Sequence, residues 1–416
     1  MKNKRKMMSM IVLVIAIVLV VFTYLNVNNL YEEKIIIKPN KVNKGIAINL
    51  EQTEGAGDYK LVTQSNWPTD GYIFNKERSG CENGGELSWD DTKKIVVMTG
   101  NEIDKCYVYF DIKTEKTLVK YVLSQYTGIQ GKNSIYYHNN SLANGAGDNS
   151  YRYAGSSEEV NNFVCFGSTE SPCPEDYLYR IIGVIDDKVK LIKYDYMTTD
   201  ELGTGGYNAE GTSVPTYDYK GTKEMSEIGV YFWNKDAATN TWSTSQFNKT
   251  NLNTNFINYL GEKWSKKIAT TTWKVGGNTV DNIIAVIPSV VYQNEITNPD
   301  ATNSTDNATE YTAKIGLMYV SDYGFAASPE AWTSTMENYK NDEIKNNNWM
   351  YMGLVEWTIS RNADDSQTVF RVYDGSRVSY LAASYASAIR ASFNLESSVT
   401  YKSGTGTMSD PITINL

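Results

Sequence analysis

Four cysteines, one histidine and three Asp-Asp pairs are the residues of this 416-residue chain with the most chemistry to offer. The cysteines fall into two local pairs, Cys81 with Cys106 and Cys165 with Cys173. A structural zinc would call for short Cys-x-x-Cys knuckles or histidine partners. The wide spacings and the single histidine, His138, do not supply them. Two disulfides, Cys81–Cys106 and Cys165–Cys173, are the expectation, as in an exported chain. A Ser-His-Asp triad could use only His138, which stands in the polar stretch YYHNNSLANGAGD and reads as a surface loop residue. The acidic pairs Asp90-Asp91, Asp186-Asp187 and Asp364-Asp365 sit in turn-like sequence. A glycosidase needs its two carboxylates to face each other across a cleft, which adjacency does not provide. The Gly-rich pieces GAG, GTGG and GTGTM lack the strand, helix and Lys-Ser/Thr of a phosphate loop and read as turns. The oxygen-rich stretches DATNSTDNATE and DDSQ could offer ligands to calcium, without the spacing of an EF-hand. No other cofactor is expected.

The elements that must position these residues begin with an anchor. Lys2, Lys4, Arg5 and Lys6 precede an apolar run from Met7 to about Leu25, unbroken from Met10 to Phe22. At about 1.5 Å rise per residue such a run approaches the ~30 Å hydrocarbon core. Thr23 to Val27 offer no small-x-small cleavage site, so a retained signal anchor over residues 1–27 is expected rather than a cleaved signal peptide. The Gly-Phe junction and following Glu of a type IV prepilin are also missing. Basic residues stay on the cytoplasmic side. The expected topology is therefore a single pass with the N-terminus inside and the C-terminal bulk extracellular.

The formal net charge is −9, with 21% charged residues. Phosphate neutralisation needs a basic surface, so nucleic acid is not an expected partner. The 31 Tyr and nine Trp, many among Asn, Thr and Ser, suit strands and turns. The expected fold class is mainly β with some α (α+β). Residues 28–45 read as a stalk. Residues 46–115 read as a small disulfide-tied antiparallel β module, with strands in YKLVTQ, GYIFNKE, KKIVVMT and KCYVYFDI and a turn cluster at SGCENGGELSWDD. Leu118, Val119, Val122 and Leu123 mark one face of a short helix within a linker, 116–132. The second module spans 133–416. It opens on strand-like SIYYHNN, NSYRYAG and NNFVCFGS, then LYRIIGVI and KVKLIKY, a hairpin turning at Asp186-Asp187. Met197 to Gly229 reads as an irregular loop. Ser243 or Ser245 then caps a helix carrying Leu252, Phe256, Ile257, Leu260, Trp264 and Ile268 on one face. Thr297 to Thr312 reads as an exposed loop. Strand-like AKIGLMYVS, MGLVEWTIS, VFRVYD, AIRASFNL and PITINL close the chain.

The second module resembles the membrane-anchored surface proteins of gut Firmicutes and Mollicutes-type bacteria. Their C-type-lectin-like domain is distantly similar to the formylglycine-generating enzyme. The likeness lies in the order of NSYRYAG, NNFVCFGS, CPEDYLYRIIGV, KVKLIKYD, LNTNFINYLGEKW, AKIGLMYVSDYGFAASPEAW, WMYMGLVEWTISR, AIRASFNLESSV and SGTGTMSDPITI. The first module, with CENGGELSWDD and DKCYVYFD, resembles a β module that accompanies such domains. Arg390-Ala391 departs from the Arg-Pro often found in the penultimate strand. The enzyme uses a reactive cysteine pair in its C-terminal part, and no cysteine follows Cys173 here, so the resemblance implies a non-catalytic domain. It also implies a ligand face on the late loops, at Tyr373, Arg377, Tyr380, Tyr385 and Arg390. The Tyr, Ser and Ala density of VFRVYDGSRVSYLAASYASAIRASFNL is similar to the variable sites of lectin-like domains diversified by retroelements. The expected function is extracellular binding or adhesion without catalysis, with a glycan or a protein as ligand. A hydrolase of the cell envelope, or a scaffold for envelope assembly, is the alternative.

Overall fold

The computed structural model describes residues 45–62, 68, 71–100, 104–113, 116–208, 218–235, 239–300, 303–305, 307–373 and 375–416. The expected anchor and nearly all of the stalk lie outside these residues. Among the described residues no helix is long and apolar enough to cross a membrane. The chain divides into two compact units after Glu115, and both are built mainly from strands.

The first unit has seven strands: β1 (Gly45–Glu51), β2 (Tyr59–Leu61), β3 (Tyr72–Phe74), β4 (Gly80–Cys81), β5 (Glu86–Asp90), β6 (Ile95–Thr99) and β7 (Lys105–Ile112). One sheet runs β2-β1-β7-β3, with β4 also on β7; β5 and β6 pair as a hairpin. In β7 the inward positions alternate as Cys106, Val108 and Phe110, the period-2 signature of a strand with one buried face. Ile48, Leu50 and Val62 complete the small core, and Trp89 meets Phe110 edge-on at 4.8 Å. The all-antiparallel expectation needs correcting. β1 lies parallel to β7, from Gly45 opposite Lys105 to Leu50 opposite Phe110. The presumed turn cluster holds β4 and β5 on either side of the Glu82–Gly85 turn. Short strands flanking Gly and Asn lose their pattern to the turn residues.

The second unit opens with a helix, Leu118–Gln125, capped where Thr117 Oγ1 accepts from Lys120 N. Leu118 and Val122 are buried in the main core, so this helix belongs to the second unit and is not a free linker. Its start pairs with the end of the chain: Leu118 N donates to Val399 O, Tyr401 N to Lys116 O, and Tyr121 stacks on Tyr401 at 4.0 Å.

Its strands are β8 (Ile135–His138), β9 (Ser150–Tyr153), β10 (Phe163–Cys165), β11 (Leu178–Ile185), β12 (Lys188–Lys193), β13 (Val230–Phe232), β14 (Thr271–Lys274), β15 (Glu310–Ala313), β16 (Ile315–Gly316), β17 (Glu356–Arg361), β18 (Thr368–Val372), β19 (Val378–Ala382), β20 (Ala386–Ala388), β21 (Ser392–Asn394), β22 (Tyr401–Ser403) and β23 (Thr413–Ile414). The larger sheet runs β16-β21-β12-β11-β9-β8, with β10 on β11; the smaller runs β13-β20-β17-β18-β19. β11 is buried along nearly its whole length, as a strand covered on both faces should be. It turns into β12 at Asp186 and Asp187, both left-handed with φ of 48° and 56°. Two left-handed residues make the tight hairpin turn whose twist suits the strands.

The helix predicted after Ser245 is present. Ser245 Oγ accepts from Asn248 N; a wide π-helical stretch, Phe247–Phe256, leads into Ile257–Ser265. Leu252, Phe256, Leu260, Trp264 and Ile268 reach the main core. AKIGLMYVS differs from expectation. Only Ala313, the end of β15, and Ile315–Gly316 are strand, and Val320–Ala326 turns into a helix once Asp322 Oδ2 accepts from Tyr319 N.

Both expected disulfides are present. Cys81–Cys106 ties β4 to β7, and Cys165–Cys173 closes the loop between β10 and β11.

Candidate functional site

Two places in the second unit have the composition of a site: an internal charge cluster under an open cleft, and the β18–β19 hairpin.

The cluster is built by three elements. β12 carries Lys190, β9 carries Arg152, and the helix after Tyr319 carries Asp322. Asp322 accepts from Lys190 Nζ at 2.5 Å and from Arg152 Nη1 at 3.2 Å. Arg152 also donates to Asp148 at 2.8 Å and to Ser150 Oγ at 2.8 Å. All of these atoms are largely shielded from water, where an unpaired charge would be expensive. Burial pulls Lys190 below its usual range and Asp322 opposes that. Burial raises the Asp148 carboxyl, but the Arg152 charge and the Ser150 bonds outweigh it and hold it well below normal. The Lys190 ammonium lies 4.2 Å from the Tyr319 ring centre and 5.4 Å from Trp273, within cation–π reach.

Glu295 stands beside the cluster. It accepts from Val320 N at 3.2 Å, Ser321 N at 3.1 Å and the Ser360 hydroxyl. Burial nonetheless pushes its pKa up to about 7.

His138 departs from the expected surface position. It is fully buried at the end of β8, against Phe325 and Trp332, and its Nδ1 accepts from Ala146 N at 3.0 Å. Burial, then the neighbouring Arg152 charge, lowers its pKa to about 3, against the pull of Asp148. A neutral, enclosed imidazole is a packing group. His138 ends a run that does read as a strand, but Phe325 and Trp332, which cover it, come from distant sequence, which is why the sequence misplaces it.

A cleft of about 290 Å³ opens above the cluster. Arg152, Lys190 and Asp322 form its floor; Tyr292, Tyr319 and Trp273 form its walls; Asp186, Lys188 and Thr270–Thr272 stand at its rim. Sequence reading missed this site. The available signal was charge inside strand runs: Arg152 in SYRY and Lys190 in KVKLIK occupy buried strand positions.

The hairpin holds three of the five residues expected to bind ligand, Tyr373, Arg377 and Tyr380. Tyr373 and Arg377 face each other across the turn, where Tyr373 N donates to Arg377 O at 2.8 Å. The Tyr373 ring lies between two guanidinium groups, 4.8 Å from Arg371 and 5.4 Å from Arg377. Arg377 also meets Glu337 at 2.9 Å. Tyr380 pairs with Phe370, one step out of phase with Arg371 and Ser379. Side chains alternate along a strand, so Tyr380 points to the other face of the sheet. It is 45% exposed, and Tyr385, in the turn after β19, is 55% exposed.

Arg390 is the exception. It is 1% exposed, and its guanidinium grips both oxygens of Glu356 at 2.9 and 2.8 Å and also donates to Met350 O. The segment between β20 and β21 carries it inward, so it offers nothing to a ligand at the surface.

Among the described residues of the 300–310 loop, oxygens offered to calcium are engaged by Arg361. Arg361 donates to Thr305 Oγ1, Asn303 Oδ1 and Asn307 O at 3.0, 3.0 and 2.9 Å. In DDSQ, Asp365 accepts from Gln367 N and Thr368 Oγ1 as a local turn. The one group of three metal-type ligands among the described residues is Cys81, Asp104 and Cys106, and its cysteines are joined to each other.

No family model matches this chain, and neither the curated proteins nor the solved structures contain a match to it.

Proposed function

We propose that this chain is a membrane-anchored extracellular protein that binds a glycan or a protein and does not turn it over. In this reading residues 7–25 are the anchor, the N-terminus is cytoplasmic, and residues 133–416 form a C-type-lectin-like domain. The observation that carries it is Tyr373 between Arg371 and Arg377 on the outer hairpin. An aromatic ring supplies contact area at low entropic cost, and guanidinium groups direct hydrogen bonds.

Interior charge supports the non-catalytic half. Asp322 is committed to Lys190 and Arg152, Glu356 to Arg390, and Glu201 to Lys193 at 2.8 Å. Carboxylates so bonded hold elements together. The two disulfides fit an oxidising compartment.

The test is capture of the full-length chain on an array of glycans and extracellular proteins, with the arrayed material recovered for mass analysis. Retention of an unaltered ligand supports the reading. A chemically altered ligand places the chain among envelope enzymes. Protease added to intact cells checks the topology: loss of the bulk of the chain is expected, and its protection would reverse the orientation.

A further inference from the structure

The floor and the rim of the cleft differ in how their charges are satisfied. On the floor, Asp322 answers Arg152 and Lys190. At the rim, the Asp186 carboxylate and the Lys188 ammonium have no side-chain partner among the described residues. They lie two positions apart where β11 turns into β12.

Charge bookkeeping narrows the guest. The lining cations are Arg152, Lys188, Lys190 and Lys274; the lining carboxylates are Asp186 and Asp322. Asp148 on Arg152 and Glu310 on Lys274 bring the two signs level. A singly charged guest would meet one rim group of each sign and would lose its hydration without a net Coulombic return. A hydroxyl group both donates and accepts. Neighbouring hydroxyls on one ring can donate to Asp186 and accept from Lys188. Thr270, Thr271 and Thr272 supply further hydroxyls, and Ile185 and Ile296 supply apolar surface for the C–H faces of a ring. The volume of about 290 Å³ lies at the small end of ligand sites, roughly 300–1,000 Å³. It suits one ring rather than an extended chain.

We infer that this cleft binds a single uncharged sugar ring, either a free monosaccharide or the terminal residue of a glycan. The inference deepens the reading of the chain as a binding protein but uses a surface other than the β18–β19 hairpin.

The experiment uses the full-length chain in a detergent without a sugar headgroup. Ligand-observed NMR titrations compare glucose, galactose, mannose and N-acetylglucosamine with glucosamine and glucuronate. At least one neutral sugar binds, and the charged ones bind at least tenfold more weakly. Asp186→Gly, at a left-handed position that glycine accepts, and Lys188→Met each weaken binding about tenfold or more, the loss of one charge-assisted hydrogen bond. Neither lowers the melting temperature. Methyl glycosides that bind as well as the free sugar identify a terminal residue; a requirement for the free sugar identifies a monosaccharide. The inference is overturned if no neutral sugar binds, if charged sugars bind as tightly, or if the two rim variants bind normally. Those results leave array capture through the hairpin as a separate question.

Discussion

Arg390 holds both carboxylate oxygens of Glu356, at 2.9 and 2.8 Å, in the interior of the second unit. Burial raises the Glu356 carboxyl and the Arg390 charge opposes the rise. The pair ties β17 to the segment between β20 and β21. Removing one partner of a buried pair strands the other, at a cost of about 3–5 kcal/mol. Arg390→Ala should therefore lower the denaturation midpoint sharply. Arg377→Ala, which loses the half-exposed pair to Glu337 and the contact with the Tyr373 ring, should cost only about 1 kcal/mol. Urea melts of the two variants check both values. Equal stability would mean that Arg390 is not structural.

The disulfides should differ in worth. The Cys81–Cys106 loop spans 25 residues and the Cys165–Cys173 loop spans 8. Chain entropy assigns them about 3.5 and about 2.5 kcal/mol. The first also braces a unit with a small core. Cys81→Ser with Cys106→Ser should unfold the first unit before Cys165→Ser with Cys173→Ser unfolds the second. Hydrogen exchange followed unit by unit reads the order.

Two buried groups should titrate with opposite signs. The folded pKa of His138 is about 3 against 6.5 for a free imidazole. Between these values the unfolded chain binds one proton more, so the His138 contribution favours folding above pH 6.5 and is lost as pH falls. Glu295 is raised to about 7 from 4.5, so its contribution is complete below pH 4.5 and is lost as pH rises through 7. Each slope is about 1.4 kcal/mol per pH unit. Relative to wild type, His138→Gln should gain stability as pH falls from 6.5 to 5. Glu295→Gln should gain it as pH rises from 5 to 7. Stability differences that stay constant with pH would contradict the burial assigned to these groups.

Strand and helix runs with a strong period were legible in the sequence. LYRIIGVI, KVKLIKY and the Leu252–Trp264 face all appear where expected, because each buries a continuous apolar stripe. The parallel pairing of β1 with β7 was not legible, since strand direction depends on contacts 60 residues apart. Nor was the burial of His138 and Arg390. Their partners, Ala146, Phe325 and Glu356, come from other elements, and no local pattern announces them. The aromatic-basic character of the hairpin was readable; the face on which each residue lies depended on register.

The register also separates the candidate contacts. Tyr380 is on the face opposite Tyr373 and Arg377. Tyr380→Ala should leave ligand capture unchanged if the Tyr373 face is the binding face, as array titration can measure.

The most direct measurement is the affinity of the full-length chain for whatever ligand the array captures, compared between wild type and Arg377→Ala with both melting temperatures in hand. A true anchor residue costs about 2 kcal/mol or more when truncated, roughly thirtyfold in affinity. The account predicts a loss of about that size, an unchanged melting temperature and a ligand recovered intact. Equal affinity of the two proteins, or a ligand recovered in altered form, would contradict it.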